Sequence, residues 1–314
     1  MYLRQFQYLV ALEQEGHFGR AAERCNVSQP SLSSAIKHLE EELGVPIILR
    51  QQKFLGFTEE GKRVVEWSKR LLADREAMLD ELAIMRDHLH GRLRIGAIPM
   101  SSPVLPLIAR LFSARYPAVQ VDIQFMGPDQ LKLGLTNFEL DVGITYLEDE
   151  PLKRLQTLPL YEEHWSLMVP DSMFRRSKRT VKWEEAVDLP LCLLSPFMRE
   201  RQIVDEAFAA IGKVAQPRLE SNSIFQLAFH VMQDQLATVV PRHFTHANRA
   251  FPGTREIALE HPVISQRVGL VWEGSNPVLP MTKAMVELIE PAVDRGEFNY
   301  PMDSGARPRV AAVR

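Results

Sequence analysis

The sequence predicts a multidomain chain. A mainly α winged helix-turn-helix covers residues 1–58, a long coiled-coil-like linker helix covers 59–89, and an α/β region of two subdomains covers 90–300. Three observations predict this. A helix–turn–helix pattern runs from Ala21 to Gly44, an apolar seven-residue repeat runs from Val64 to Met85, and strand and helix patterns alternate from Leu93 onward. At 314 residues the chain is too long for one ordinary core.

In AAERCNVSQPSLSSAIKHLEEELG, Ala21, Ala22 and Cys25 give a short helix with a small-residue face. Asn26 and Val27 make the turn, Ser28 is a good N-cap, and Pro30 sits where a missing N–H costs nothing. Leu32, Ile36, Leu39 and Leu43 recur at helical spacing, and Gly44 supplies the stop. The other face carries Gln29, Ser31, Ser33, Ser34, Lys37 and His38, groups able to donate to phosphates or to base edges in a major groove. An ordinary helical hairpin with a solvated face has the same local pattern. Upstream, Leu3, Phe6, Leu9 and Val10 mark a supporting helix. Downstream, Val45 to Phe57 reads as a two-stranded wing whose Arg50 and Lys53 reach phosphate or the minor groove.

This region resembles the N-terminal domain of the LysR-type transcriptional regulators. The match runs over Phe6, Gly16, Phe18, Ala21, Ala22, Ser28-Gln29-Pro30, Leu32-Ser33, Ile36, Leu39-Glu40, Leu43-Gly44, Arg50, Thr58 and Gly61. Positions in register over roughly sixty residues are far more specific than a short motif. His17 and Gly19 depart from the family's usual Ser and Thr, Ile48 from Phe, and Ser34 from a basic residue. The resemblance implies sequence-specific binding of double-stranded DNA at an inverted-repeat promoter site. The candidate DNA-binding residues, read from the polar helix face and the wing, are Ser28, Gln29, Pro30, Ser31, Ser33, Ser34, Lys37, Arg50 and Lys53.

A formal charge of −3 argues against a general polyanion coat, yet a specific binder needs only a local cationic face. Within 1–58, Arg4, Arg20, Arg24, Lys37, Arg50 and Lys53 are balanced by Glu13, Glu15, Glu23, Glu40, Glu41 and Glu42, so one copy binds weakly and an oligomer is favoured. Two cysteines, Cys25 and Cys192, fit a reducing compartment and fall in different domains. No apolar run approaches the ~18 residues that span a membrane, and no signal-peptide core is present, so a cytoplasmic location is expected.

From Thr58, with Glu59 and Glu60 in its first turn, a helix of about 30 residues and ~45 Å is expected. Val64, Leu71, Met78 and Met85 repeat every seventh residue, Val65, Leu72 and Leu79 form a neighbouring row, and Leu82 and Leu89 lie beside them. Such a stripe needs a partner helix, most simply its own copy in a second subunit. The resemblance implies a homodimer through this element and a homotetramer as a dimer of dimers. RNA polymerase is a further expected partner.

LRIGAIP, VQVDIQFM and DVGITY read as strands around helices, the first helix capped by Ser102 with Pro103 at its start, making a βαβαβ unit with a parallel sheet. A second set follows through EEHWSLMVP, PLCLLSP, RERQIVDEAFAAIG, PRLESN, SIFQLAFHVMQ and LATVVP, before RVGLVWE and a last helix from Met281 to Val293. The periplasmic-binding-protein-like regulatory domain of the LysR family has this architecture. By analogy the crossovers lie near 162 and 267, giving subdomain I as 90–161 and 267–300 and subdomain II as 162–266. Residues 301–314 are expected to be a disordered tail.

Ligands of open sheets sit beyond strand carboxyl ends, against helix N-termini. The candidate effector residues are therefore Pro99, Met100, Ser101, Ser102, Gly127, Pro128, Thr145, Tyr146, Ser195, Phe197, Arg199 and Asn222. Small hydroxyls and helix dipoles suit a small anion, with Arg199 or Arg201 to neutralise it. No catalytic residue, metal ligand or cofactor is expected, because phosphate-loop, H-E-x-x-H, Gly-x-Ser-x-Gly and Cys/His metal patterns are missing. The reading is a ligand-controlled, LysR-type DNA-binding regulator, activating or repressing. The alternatives are an effector-independent DNA-binding protein, or a small-molecule-binding protein or enzyme with an added DNA-binding head.

Overall fold

The computed structural model describes residues 1–50, 54–85, 89–149, 152, 155–247, 251–274 and 278–299. The expected tail at 301–314 and the wing residue Lys53 lie outside the described residues, as does the side chain of Arg50. Helices α1 (Leu3–Glu15), α2 (Phe18–Arg24) and α3 (Gln29–Leu43) precede a ribbon of β1 (Ile48–Arg50) and β2 (Phe54–Phe57), paired antiparallel. Phe6, Leu9, Leu12, Ala21, Ala22, Leu32, Ile36 and Leu39 form the core, so the small-residue face of α2 packs as its spacing predicts. Ser28 caps α3 by accepting from Ser31 N–H, and Gly44 closes the helix in the left-handed region.

The linker helix α4 runs Glu59–Ile84, capped by Thr58, and is shorter than expected. Residues 86–88 are not described. Leu89 is 4% exposed in the core of the α/β region, so burial against the sheet takes it off the linker stripe. Val65 is buried and Val64 and Leu72 are half-buried against the N-terminal core, whereas Trp67, Leu71, Met78, Leu79, Leu82 and Met85 remain exposed.

The α/β region comprises β3 (Gly91–Ala97), α5 (Leu105–Arg115), β4 (Val119–Phe125), α6 (Pro128–Thr136), β5 (Val142–Tyr146), β6 (Leu155–Pro170), β7 (Thr180–Lys182), α7 (Trp183–Ala186), β8 (Cys192–Leu194), α8 (Arg199–Ala210), β9 (Leu219–Ser221), α9 (Ile224–Gln233), β10 (Thr238–Pro241), α10 (Arg242–Ala247), β11 (Thr254–Glu260), β12 (Ser265–Glu273) and α11 (Pro280–Asp294). Among the described residues the main sheet runs β4-β3-β5-β12-β6-β11-β7, with β10 also on β6. Strands β3, β4 and β5 are parallel, as predicted, but β12 is antiparallel to both β5 and β6. The sheet is therefore mixed, because the chain crosses between subdomains and returns. Strand β6 is 16 residues long. Its first part pairs with β12 up to His164, and from Trp165 it pairs with β10 and β11, so its partners change just beyond the expected residue 162. The return strand β12 starts at Ser265.

Ser102 is not a helix cap. Pro99–Ser101 form a 3-10 turn and α5 begins at Leu105, with Pro106 rather than Pro103 in its first turn. The short elements β7, α7, α10 and β11 were not foreseen.

Two residues lock the wing to the linker. Thr58 N–H donates to Ile47 O at 3.0 Å, its hydroxyl donates to Pro46 O at 2.7 Å, and it accepts from Gly61 N–H at 2.8 Å. A Cβ on Gly61 would sit 2.0 Å from Ile47 O. Alanine normally stabilises a helix over glycine by about 1 kcal/mol. Here Gly61→Ala is expected to do the reverse, lowering stability by about 1–3 kcal/mol through overpacking against backbone. Urea unfolding of the full chain followed by tryptophan fluorescence checks the sign, and an unchanged or raised midpoint contradicts this account.

Candidate functional site

Two sites form, one at each end of the chain. In the first, α3 exposes Ser28, Gln29, Pro30, Ser31, Ser34 and Lys37, while Ser33 is half-buried. Ser28 and Ser31 are partly committed to each other, with 2.8 Å between their hydroxyls. Lys37 lies 3.7 Å from Glu41, and His38 lies 3.8 Å from the same carboxylate. Arg20 and Arg24 both pair with Glu15. Most of this positive charge is thus already balanced within one protomer, as its composition implies. Arg4 and Tyr8 of α1 line a groove with Ser31, Ser34 and His38, and the sequence alone did not single them out. The departure at His17 and Gly19 is explained as a pair. His17 Nδ1 accepts from Gly19 N–H at 3.0 Å and caps α2, and its ring lies 3.1 Å from where a Cβ on residue 19 would stand.

The second site lies where β6 passes between sheet halves. Ile98 N–H donates to Ile144 O at 3.0 Å, which sets the turn containing Pro99, Met100, Ser101 and Ser102 beside the end of β5. Met100 is 1% exposed and packs with Cys192, Leu194 and Ile224, so a residue of the first unit enters the core of the second. Tyr146 is buried and donates to Glu163 Oε2 at 2.7 Å. Arg199, at the start of α8, donates to Asp149 Oδ1 at 2.7 Å across the two units. The structure therefore packs Met100 into the core of the second unit and brings Tyr146 and Arg199 into contacts with Glu163 and Asp149.

Other expectations are corrected. Ser101 and Ser102 donate their hydroxyls to Ile98 O and Pro99 O, closing the local turn instead of presenting free donors. Gly127 and Asn222 are exposed, Pro128 is half-buried in the first turn of α6, and Phe197 is 75% exposed, outside the buried cluster. Arg199 is shared between Asp149 and Glu206, while Arg201 is held by Asp205, Glu220 and Leu194 O. Neither guanidinium is left to neutralise an anion, because a carboxylate already occupies each.

The sequence missed Glu163, Trp165, Glu200 and His243. Thr145 Oγ1, Glu163 Oε1, Trp165 Nε1 and Glu200 Oε1 are buried without a hydrogen-bond partner in the protein. Burial pushes the Glu163 carboxyl up to about 8, against the opposing effect of Tyr146's donated bond. Burial also raises Glu200, and it raises Tyr146 next to the charge of Glu163. The available signal was a glutamate in phase with Tyr161, Trp165 and Leu167 on the inward face of one strand. Among the described residues no cluster of potential metal ligands forms.

Comparison with known proteins finds family models over both parts of the chain. The family model described as bacterial regulatory helix-turn-helix protein, lysR family, matches residues 3–62, and LysR substrate binding domain matches 86–294. The DNA-binding transcriptional dual regulator OxyR of Escherichia coli K12 is 26% identical over 302 residues, 95% of this chain and 98% of that protein. Full-length OxyR from Pseudomonas aeruginosa superposes with a TM-score of 0.73 at 26% identity, covering 93% of this chain and 94% of that one. CbnR, solved with its target DNA, shares the fold at 20% identity with a TM-score of 0.64, over 93% of this chain and 100% of that one. With an N-terminal helix-turn-helix joined to an effector-binding domain along most of its length, the chain belongs to the LysR family of DNA-binding transcriptional regulators.

Proposed function

We propose that the protein is a cytoplasmic regulator that binds promoter DNA at an inverted repeat, with α3 and the wing as readers, and acts there with RNA polymerase. Residues 1–58 bind DNA, 59–89 dimerise, and 90–300 hold a small effector between subdomains whose relative angle it changes. The observation that carries this reading is Lys69. It is 8% exposed on α4, 2.8 Å from Glu13 of α1 and 3.3 Å from Glu139 of the α/β region. One linker residue thus joins the DNA-reading unit to the sensing unit, which an effector-independent DNA-binding protein does not need. A protein of the same fold supports the reading, since CbnR is solved on its target DNA. Several relatives are named hydrogen peroxide-inducible genes activators. Peroxide sensing through a thiol is not supported here. Cys192 is buried, and burial pushes its thiol up to about 12, while Cys25 belongs to the helix-turn-helix.

The exposed row Trp67, Leu71, Met78, Leu82 and Met85 on α4 favours a homodimer, and a homotetramer as a pair of dimers. Leu71→Glu with Met78→Glu is expected to halve the mass seen by sedimentation or to give monomers. Unchanged mass removes α4 from the interface. For DNA, Gln29→Ala, Ser33→Ala and Arg50→Ala together should weaken binding to the DNA upstream of the protein's own gene. Each lost base contact costs about 1–3 kcal/mol, and a lost phosphate contact lowers the salt slope by about 1. Unchanged affinity in a salt-titrated gel-shift assay refutes the reading face. For coupling, Lys69→Met should leave DNA affinity within about threefold while flattening its dependence on bound effector, an effect of about 0.5–2 kcal/mol. An undiminished effector response contradicts the role given to Lys69.

A further inference from the structure

Glu163 lies wholly buried on β6, at the place where that strand leaves one sheet half for the other. Tyr146 donates to its Oε2 at 2.7 Å and Tyr161 also bonds the carboxylate, while Oε1 has no partner within 3.5 Å. Glu200, in the first turn of α8, is 3% exposed, and its Oε1 is also without a partner. The two carboxylates are close enough for the charge on Glu200 to act on Glu163. Side-chain alternation along β6 sets Tyr161 and Trp165 on the same face as Glu163, one on either side. Trp165 is 4% exposed and its indole N–H is unpartnered, which is independent of the acids and points to a ligand on this face. His243 stacks on Tyr161 with ring centroids 4.1 Å apart.

Such a face is the electrostatic inverse of an anion site. Two buried carboxylates need N–H donors, and aromatic rings attract cations. The neighbouring guanidinium groups already carry carboxylate partners, Arg199 with Asp149 and Glu206, and Arg201 with Asp205 and Glu220. We propose that the effector is a small organic cation bearing N–H donors, an amine, amidine or guanidine, held between Glu163 and Glu200 against the Tyr161–Trp165 face. This rests on the reading of the cleft as the effector site, and it replaces the anion that the sequence suggested.

Proton linkage follows from the same residues. Burial raises both glutamates, and Glu163, pushed to about 8, holds a proton near neutral pH when no cation is bound. A cation pairs with the ionised form, so its binding releases protons and tightens as pH rises toward about 8.

The test uses the full-length protein, with benzamidine and agmatine as cationic probes and benzoate and succinate as anions. Melting curves and isothermal titration at pH 6.5 and 8 read the outcome. At least one cation is expected to raise Tm by about 3 °C at ten times its Kd, and to bind roughly tenfold more tightly at pH 8. Glu163→Gln and Glu200→Gln should each weaken that binding tenfold or more. Glu200→Gln, at a helix start, carries the test alone if the change on β6 prevents folding. Stabilisation by neither cation overturns the proposal. Stabilisation by an anion that Thr145→Val abolishes overturns it too, while leaving the cleft reading standing. A cation whose effect survives both glutamine variants binds elsewhere, and removes both the proposal and the cleft reading.

Discussion

The regulatory half depends on one constraint, the sharing of strand β6 between two sheet halves. Sixteen residues at about 3.3 Å each reach some 50 Å, enough to cross both halves in one run. Backbone hydrogen bonds tie its first part to β12 and its second to β10 and β11, so neither half can slide past the other. What remains is flexure of β6 near His164 and Trp165, where the partners change. Polar groups buried at such a point feel any change in angle, and that is where Glu163 lies, with Tyr146 reaching it from β5 and Glu200 from α8. A ligand bonded to both glutamates spans the crossing strand and the second subdomain. It therefore has different affinity for different angles, which is the requirement for shifting a conformational equilibrium.

Transmission from that point to the DNA-reading unit runs along strands already present. β3 and β5 lie side by side and parallel, with one end at the cleft and the other at the linker. At the cleft end stand Ile98 and Tyr146. At the linker end Arg94 holds Asp141 through Nη2 at 2.6 Å and Nε at 3.1 Å, and Thr282 of α11 donates to Asp141 O at 2.9 Å. Glu139, two residues before Asp141, pairs with Lys69. The joint also encloses a cavity of about 340 Å³ lined by Lys69, Asp80, His90, Arg94, Glu139 and Asp141. There, burial pushes Asp80 up to about 6 beside the charges of Asp141 and Glu76. A rigid strand pair ending in a polar, loosely filled joint moves as a lever, whereas a tightly packed apolar joint would resist it.

The helix-turn-helix was legible because local rules dictate it. Ser28 caps, Gly44 stops, and the apolar spacing of α3 buries Leu32, Ile36 and Leu39, all without reference to distant residues. The βαβαβ succession from β3 to β5 was readable for the same reason. Where non-local packing decides, the sequence misleads. Ser102 looks like a helix cap, but the turn at Pro99–Ser101 and the packing of Met100 into the second core move the helix start to Leu105. Leu89 continues the linker period yet is pulled into the sheet core. Serines at strand ends look like free donors, but the protons of Ser101 and Ser102 are used on nearby carbonyls. Glu163 escaped notice because a glutamate among YEEHW reads as a solvated charge, and its meaning comes from Tyr146, seventeen residues away.

The chemistry of that glutamate also sets the scale of the response. Moving a two-state regulator from almost entirely one form to almost entirely the other takes about 5.5 kcal/mol of differential binding. A hydrogen bond to a charged group contributes about 1.5–3 kcal/mol, and a buried acceptor left unpaired costs about 1–3 kcal/mol. Two such acceptors, Glu163 Oε1 and Glu200 Oε1, sit on separate elements, β6 and α8. A ligand satisfying both only in the closed geometry gains on the order of the required energy from those two atoms. A ligand satisfying one would bind both geometries alike and shift nothing. The regulatory signal thus resides in the pairing of the two carboxylates, more than in the affinity of either.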